Sequence, residues 1–160
     1  MENGLRRMSP AIFALALICF FLPFVEMSCQ GQKILTLTGI QLATGTTIAQ
    51  PAAFGQAQTR RVSGEPSAVV ALLSAIVGLG LSFLKNGKAP IGPAIAGGLG
   101  LVTLLLLKSK MDGDILREGG GMIQVEYAVG FWTTFILYAS ALALNAFLLM
   151  QTKRKNEKQV

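Results

Sequence analysis

Side chains able to carry out chemistry are scarce in this chain. Its 160 residues contain no histidine and only two cysteines, Cys19 and Cys29. A Ser-His-Asp triad, a Cys-His pair, a Cys/His zinc site and a haem held by histidine all lack a required side chain. We therefore predict no catalytic, metal-binding or cofactor-binding residues, and no cofactor.

Carboxylates are the remaining candidates for chemistry. Glu26 and Glu126 would form a pair for acid/base catalysis if the segments that carry them align, but an ion pair with a basic residue such as Lys33 is the commoner role. Asp112 and Asp114, in "DGD", would supply two of the six to eight oxygen ligands that calcium requires. A solvated turn is the simpler interpretation of that motif.

Cys29 follows the first apolar run of the chain. We predict a small, half-buried residue beneath a sheet; the alternative is a disulfide with a partner protein or with a second copy. Cys19 lies ten residues earlier inside the run, a rise of about 15 Å along a helix. That separation excludes a Cys19–Cys29 disulfide, provided that the intervening residues are helical.

Composition indicates a membrane protein. Hydrophobic residues make up 52% and charged residues 14% of the chain, and the mean hydropathy is +0.56, whereas soluble domains carry about 25% charged residues. Four apolar segments reach the roughly 17 to 25 residues that a membrane-spanning helix needs: residues 9–25, 66–84, 89–107 and 129–150. None contains Asp, Glu, Lys or Arg, which argues against a proton-coupled transporter.

Residues 9–25 also have the basic start and apolar middle of a signal peptide. No small-x-small cleavage site follows Val25, so we expect the segment to remain as a span. Four spans place both termini on the same side of the membrane.

The distribution of Lys and Arg favours cytoplasmic termini. Eight of the 14 then lie inside, including Arg6, Arg7 and the basic tail at residues 151–160, although Lys108 and Lys110 argue for the reverse. A basic rim facing anionic lipid accounts for the net charge of +6 without nucleic-acid binding.

The connections between the spans differ in length. "KNGK", residues 85–88, predicts a tight turn between two antiparallel helices. The first outer loop, 26–65, and the second, 108–128, are long enough to be structured or functional. Residues 44–65, rich in small and polar side chains, are predicted to be the least structured part.

The first outer loop opens with the pattern of a β-hairpin. In "KILTLTG", Leu35 and Leu37 alternate with Thr36 and Thr38, which is the period of a strand with one apolar face. With "FVEMSC" and the turn "QGQ", residues 24–39 are predicted to form a hairpin that begins where Pro23 ends the first helix.

A segment of the second outer loop, residues 122–129, also alternates, and we predict that it joins the hairpin as a third strand because an isolated two-stranded ribbon is marginal in water. The fold class is thus an all-α membrane protein, a four-transmembrane-helix bundle with a small extracytoplasmic antiparallel sheet. The predicted outer interaction surface consists of Cys29, Leu35, Leu37, Ile123, Val125 and Tyr127. Phe131 and Trp132 are the predicted aromatic residues of the membrane interface.

Small residues recur at four-residue spacing on the second and third spans, a pattern that lets helix backbones approach closely in lipid. They are Ser74, Gly78 and Ser82, and Gly92, Ala96 and Gly100. The short turn between the spans favours packing of these two faces on each other, and a dimer interface is the alternative.

In topology the chain resembles the claudin-like four-span proteins, in which a strand pair continues from the first span and a later outer segment completes the sheet. "LPFVEMSC", "TGIQLATG" and "VEYAVGFW" are also similar to small inner-membrane proteins of bacteria, and this resemblance implies the inner membrane of a bacterium as the location. A claudin's first loop carries a tryptophan and two cysteines, whereas "EMSCQGQKILTLTGIQLATG" has one cysteine and no tryptophan. The resemblance therefore implies the topology, but neither a loop disulfide nor a junction-type function.

Three hypotheses for the function follow. The leading one is a non-catalytic accessory or scaffold subunit of a membrane complex, whose partners are the lipid bilayer and other membrane subunits or further copies of itself. The alternatives are an oligomeric channel or carrier for a small solute, and an enzyme acting on lipid through Glu26 and Glu126.

Overall fold

The structure is a computed structural model, and it describes residues 2–29, 32–50, 58–83, 91–118 and 123–157. In chain order the elements are α1 (Glu2–Cys19), β1 (Pro23–Cys29), β2 (Gln32–Thr38), α2 (Gly39–Thr44), β3 (Thr46–Gln50), β4 (Gln58–Val62), α3 (Pro66–Phe83), α4 (Ile91–Glu118), β5 (Ile123–Tyr127) and α5 (Val129–Glu157). The prediction of a mainly helical chain with a small three-stranded antiparallel sheet is confirmed.

The long helices of the described residues form a bundle in which α1 and α4 each pack between α3 and α5. Ser9, in the first half of α1, lies beside Ser82 at the end of α3 and Asn145 in the second half of α5. The chain thus runs up α1 and down α3, and α5 is antiparallel to α1. We call the end where α1 stops and α3 and α5 begin the sheet end.

Among the described residues, three helical stretches are long and apolar enough to cross a membrane: Pro66–Phe83, Ile91–Gly113 and Val129–Thr152. Large aliphatic side chains cover the outside of the bundle, with Ile95 66% and Ile136 61% exposed, while the interior is rich in alanine. A bundle in water would bury its large apolar side chains first. This distribution suits a hydrocarbon environment.

The first helix is shorter than the predicted span 9–25. It ends at Cys19, the amides of Phe20, Phe21 and Leu22 close a tighter turn on the carbonyls three residues earlier, and Pro23 begins β1. The cause is local, because proline disfavours helical geometry in the residue before it. The apolar part of α1, Met8–Cys19, falls short of a membrane span by length alone.

The last two helices are longer than the predicted spans. α4 reaches Glu118 instead of ending at residue 107, so the predicted loop 108–128 begins with helix, and α5 continues to Glu157 through most of the predicted tail. Lys108 and Asp112 form an i,i+4 ion pair of the kind that favours helix. The helix therefore continues past Lys108.

The three-stranded sheet has the order β2-β1-β5, and both pairs are antiparallel. Val25 stands opposite Leu37 in β2 and Tyr127 in β5, while the next residue, Glu26, stands opposite Thr36 and Glu126. The alternating pattern thus separates a face that packs on the bundle from a polar outer face.

Residues 44–65, predicted to be the least structured part, contain regular structure. The range begins at the last residue of α2, whose start is fixed by a capping box between Thr38 and Gln41, with hydrogen bonds of 3.3 and 3.1 Å. Beyond Gly45, whose φ is 79°, β3 and β4 pair as a separate antiparallel hairpin. The sequence did not predict β3 and β4 because neither strand has an alternating apolar pattern of its own.

Two glycines of the bundle provide a matched pair of substitutions. A Cβ at Gly100 would lie 2.5 Å from the Tyr138 ring, whereas a Cβ at Gly80 would have no neighbour within 4 Å. We expect Gly100→Ala to destabilise the folded protein by about 1 to 3 kcal/mol through overpacking. Gly80→Ala should be neutral or stabilising by up to about 1 kcal/mol. Thermal unfolding in detergent, followed by circular dichroism, measures both, and equal effects would refute the close packing.

Candidate functional site

Aromatic rings seat the sheet on the bundle. Phe20, Phe24 and Phe131 are fully buried, with ring centroids 5.0 Å apart for Phe20 and Phe24 and 6.2 Å apart for Phe24 and Phe131. The ring of Tyr127 in β5 lies 4.8 Å from that of Phe131. This aromatic cluster, Phe20, Phe24, Tyr127 and Phe131, joins the turn after α1, strands β1 and β5, and the start of α5.

Glycines let the backbones meet around the aromatic cluster. A Cβ at Gly130 would lie 2.5 Å from the Pro23 carbonyl oxygen, and one at Gly39 would lie 2.8 Å from Phe20. The amide of Ala128 also donates to the Phe24 carbonyl at 2.9 Å. The sheet is therefore fixed to the bundle by backbone as well as side-chain contacts.

Tyr127 connects the sheet to α4. Its hydroxyl donates to Asp112 Oδ1 at 2.6 Å and lies 3.1 Å from the Lys108 carbonyl oxygen. Lys108 Nζ lies 2.6 Å from Asp112 Oδ2 and 4.7 Å from the centre of the Tyr127 ring. Burial, and then the hydrogen bond to the Asp112 carboxylate, raise the pKa of Tyr127 well above its usual value. The hydroxyl consequently remains protonated and able to donate.

A second connection runs between α4 and the segment that precedes α3. Lys110 Nζ lies 2.8 Å from Glu65 Oε2, and the Glu65 amide donates to the Leu42 carbonyl at 2.8 Å. Both groups of the ion pair are partly exposed, so it contributes little energy. Its geometry nevertheless joins α2, α3 and α4 at the sheet end.

The outer face of the sheet carries the predicted carboxylate pair. Glu26 and Glu126 stand directly opposite each other on β1 and β5, so the strand alignment that the pair requires is present. Lys33 of β2 forms an ion pair with Glu26. The hydrogen bond and the charge of Glu26, with the charge of Glu126, raise the pKa of Lys33. The arrangement is a mixed-charge surface with one cation set beside two anions.

Of the six residues predicted to form the outer interaction surface, four pack inward, and the side chains of the other two are outside the described part of the structure. Leu37 is buried, and Leu35, Val125 and Tyr127 are half-buried and pack against the core. The backbones of Cys29 and Ile123 are paired across β1 and β5, and their side chains lie outside the described part of the structure. The accessible surface of the sheet is thus the opposite, charged face.

The two predicted interface aromatics have different surroundings. Phe131 is fully buried in the aromatic cluster, whereas Trp132 is 48% exposed at the start of α5. Only Trp132 therefore stands on the outside of the bundle, at the sheet end.

The predicted helix-packing residues contact several helices. Gly92 of α4 packs on Leu81 of α3, Gly78 on Phe13 of α1, and Gly100 on Tyr138 of α5 with Ser74 nearby. Ala96 is buried, and Ser82 bonds the Gly78 carbonyl within α3 at 2.7 Å and Ser9 of α1 at 3.1 Å. These residues consequently do not form a single seam between α3 and α4.

Polar side chains inside the bundle bond to one another. The hydroxyl of Tyr138 donates to the Ala71 carbonyl and accepts from Ser74 Oγ at 3.0 Å. Asn145 Nδ2 donates to Ser9 Oγ at 3.2 Å and to the Ala141 carbonyl at 2.7 Å. Tyr138 was not among the predicted residues, and its signal in the sequence was a lone tyrosine within an apolar helix.

The prediction that "DGD" forms a turn is wrong, because residues 112–114 lie within α4, where Asp112 bonds Lys108 and Tyr127. The side chain of Asp114 lies outside the described residues. In the described part of the chain no group of three or more His, Cys, Asp or Glu side chains could hold a metal ion.

Comparisons with known proteins give no relative: no protein-family model and no curated protein matches the chain.

Removing the Tyr127 hydroxyl tests the connection between the sheet and α4. We expect Tyr127→Phe to destabilise the protein by roughly 0.5 to 1.5 kcal/mol at pH 8, because the half-exposed Asp112 carboxylate loses a part-buried hydrogen-bond donor. Since the pKa of Tyr127 is raised by folding, its contribution is full below about pH 10, where unfolded tyrosine titrates, and is lost as the pH rises further.

The gap in midpoint temperature between wild type and Tyr127→Phe should therefore narrow above pH 10 in detergent-based thermal unfolding. Tyr138, the other tyrosine of the chain, is common to both proteins and cancels in the comparison. A gap that stays constant from pH 8 to pH 11 would contradict the assignment.

Proposed function

We propose that this chain is a four-span integral membrane protein that acts as a non-catalytic accessory or scaffold subunit. Its partners are other membrane proteins or further copies of itself, and they dock on the sheet end. The observation that carries the proposal is the charged outer face of the sheet, Glu26, Lys33, Thr36 and Glu126, held on a bundle whose outside is apolar.

The fourth span in this proposal is α1. Its full length, Glu2–Cys19, rises about 27 Å, close to the roughly 30 Å of a hydrocarbon core. Its packing between α3 and α5, two helices of membrane length, supports counting it as a span. Basic side chains at a helix end can extend to the interface, which lets a short apolar stretch suffice.

The proposed orientation has cytoplasmic termini and an extracytoplasmic sheet in the inner membrane of a bacterium. Trp132 supports a membrane interface at the sheet end, where amphipathic rings are enriched. Arg154, exposed on the last turns of α5, supports a cytoplasmic boundary at the opposite end.

The fixed position of the sheet on the helix bundle favours docking of a partner. The aromatic cluster and the Tyr127–Asp112 hydrogen bond order the sheet before any partner arrives, and prior order lowers the entropic cost of association. The strands β2 and β5 are the edges of the sheet, so each offers backbone groups to which a partner strand can pair. The charges of Glu26, Lys33 and Glu126 would select the partner and its register.

A shared solute path is less well supported. Ser9, Ser74, Ser82 and Asn145 are directed at one another or at carbonyls inside a single bundle. A channel formed between copies would need polar stripes on the outside, where aliphatic side chains lie.

The orientation is tested by labelling with a membrane-impermeant maleimide in a Cys19→Ala, Cys29→Ala background. We expect Thr36→Cys, on the exposed face of β2, to react in intact spheroplasts. Arg154→Cys, at the far end of α5, should react only after permeabilisation. The opposite pattern would place the sheet in the cytoplasm.

The docking role is tested by native mass spectrometry of the tagged chain extracted from its own membranes in a mild detergent. We expect stoichiometric partner subunits, or a defined homo-oligomer, with wild type. Glu126→Lys should weaken that assembly at least about tenfold, because it turns an attraction at the interface into a repulsion.

Arg154→Glu is the matched control, since it reverses one exposed charge at the other end of the bundle and should leave the assembly intact. A wild-type chain that is monomeric throughout would refute the scaffold role. Loss of assembly in both variants would place the contact elsewhere than on the sheet.

A further inference from the structure

A shallow groove follows one side of α4 near the sheet end. It has a volume of about 400 Å³ and is lined by Leu105, Lys108, Ser109, Asp112 and Gly113. All five residues lie on one face of α4, so the groove is open on its other side and would hold only the part of a ligand that lies along the helix. The groove is amphipathic along the helix, with an aliphatic side chain at one end and two charges at the other.

In the membrane placement of the proposed function, the groove lies at the level of the lipid headgroups. Leu105 belongs to the apolar run of α4 and is exposed on the outside of the bundle, where an acyl chain would lie. Lys108 is the first charged residue after that run. A ligand with an apolar tail and a polar head could therefore place its tail against Leu105 and its head beside Lys108 and Asp112.

The charges of the groove are balanced and accessible. Lys108 Nζ and Asp112 Oδ2 are 2.6 Å apart, with side chains 35% and 44% exposed. Such an exposed pair is worth little by itself, so exchanging its partners for those of a ligand costs little. Tyr127 keeps Asp112 in place through the other carboxylate oxygen.

We propose that this groove binds the headgroup of an amine-bearing zwitterionic phospholipid, with the phosphate at Lys108 and the ammonium at Asp112. The ammonium group of ethanolamine has three N–H donors for the carboxylate, whereas the quaternary ammonium of choline has none. Ser109, exposed beside Lys108, adds a hydroxyl for the phosphate. An anionic headgroup would satisfy Lys108 but bring a net negative charge towards Asp112.

Gly113 provides a variant that fills the groove without disturbing its walls. A Cβ at this position has no neighbour within 4 Å, so Gly113→Leu places a side chain in open space and also removes a helix-destabilising glycine. Gly80→Leu is the matched control, because a Cβ at Gly80 also meets open space and α3 does not line the groove. Asp112→Asn removes the negative charge and keeps the size of the side chain.

The experiment is native mass spectrometry of the full chain in detergent, titrated with dioleoyl phosphatidylethanolamine, phosphatidylcholine or phosphatidylglycerol. We expect wild type and Gly80→Leu to bind phosphatidylethanolamine at least about tenfold more tightly than phosphatidylcholine, as the loss of charge-assisted hydrogen bonds predicts. Gly113→Leu and Asp112→Asn should reduce that preference to less than about twofold. Soluble phosphoethanolamine should not displace the lipid, because it lacks the chain that contacts Leu105.

Equal binding of the two zwitterionic lipids by wild type would overturn the proposal, and so would an unchanged preference in Gly113→Leu. Tightest binding of phosphatidylglycerol would identify an anion site, and displacement by soluble phosphoethanolamine would identify a site for the free headgroup; either result refutes the lipid assignment. The inference rests on the membrane placement in the proposed function, which the maleimide pattern tests separately. A correctly inserted chain that shows no headgroup preference would overturn this inference alone.

Discussion

The interior of the bundle depends on one close contact, the ring of Tyr138 lying against Gly100. The missing side chain at Gly100 lets the ring enter the space between α3, α4 and α5, where its hydroxyl bonds the Ala71 carbonyl. Phe13 of α1 meets the same ring edge-on at 6.5 Å. One aromatic side chain therefore contacts each of the other long helices, and a glycine makes that position available.

This contact is important for stability because the outside of the bundle is as apolar as the inside. In lipid, burying another leucine gains little, so close packing and hydrogen bonds between helices hold the fold together. The buried serines and Asn145 supply hydrogen bonds between helices, as the bonds among Ser9, Ser82 and Asn145 show. Alanine and glycine allow the close packing. The composition of the interior follows from the solvent that surrounds it.

Much of the sheet was predictable because its signal is local. The alternation of Leu35 and Leu37 with threonines predicted the hairpin, and the register then brought Glu26 opposite Glu126, as the predicted pair required. The ends of the helices were less predictable. Hydropathy locates the hydrocarbon-compatible residues, but α1 stops early at a proline-directed turn and α4 continues through Lys108 for reasons of helix propensity and ion pairing.

The candidate site was predicted only in part, since its geometry depends on contacts between distant segments. Tyr127 shows why: the alternation of β5 grouped it with Val125 on one face of the strand, but did not show that this face packs on the core or that the hydroxyl bonds Asp112 on α4. The extension of α4 that brings Asp112 there was itself missed. No pattern in either segment alone contains that pairing.

Asp112 belongs both to the connection that seats the sheet and to the wall of the groove on α4. A ligand that binds there must change the electrostatic surroundings of the carboxylate that Tyr127 uses to hold β5. If the ligand binds more tightly when the sheet is seated, then seating is favoured by the ligand to the same extent, because coupling between two equilibria is reciprocal. In the proposed function, lipid at the rim of the bundle and a partner on the sheet would therefore act on a shared carboxylate, so that the membrane itself contributes to how firmly the docking surface is held.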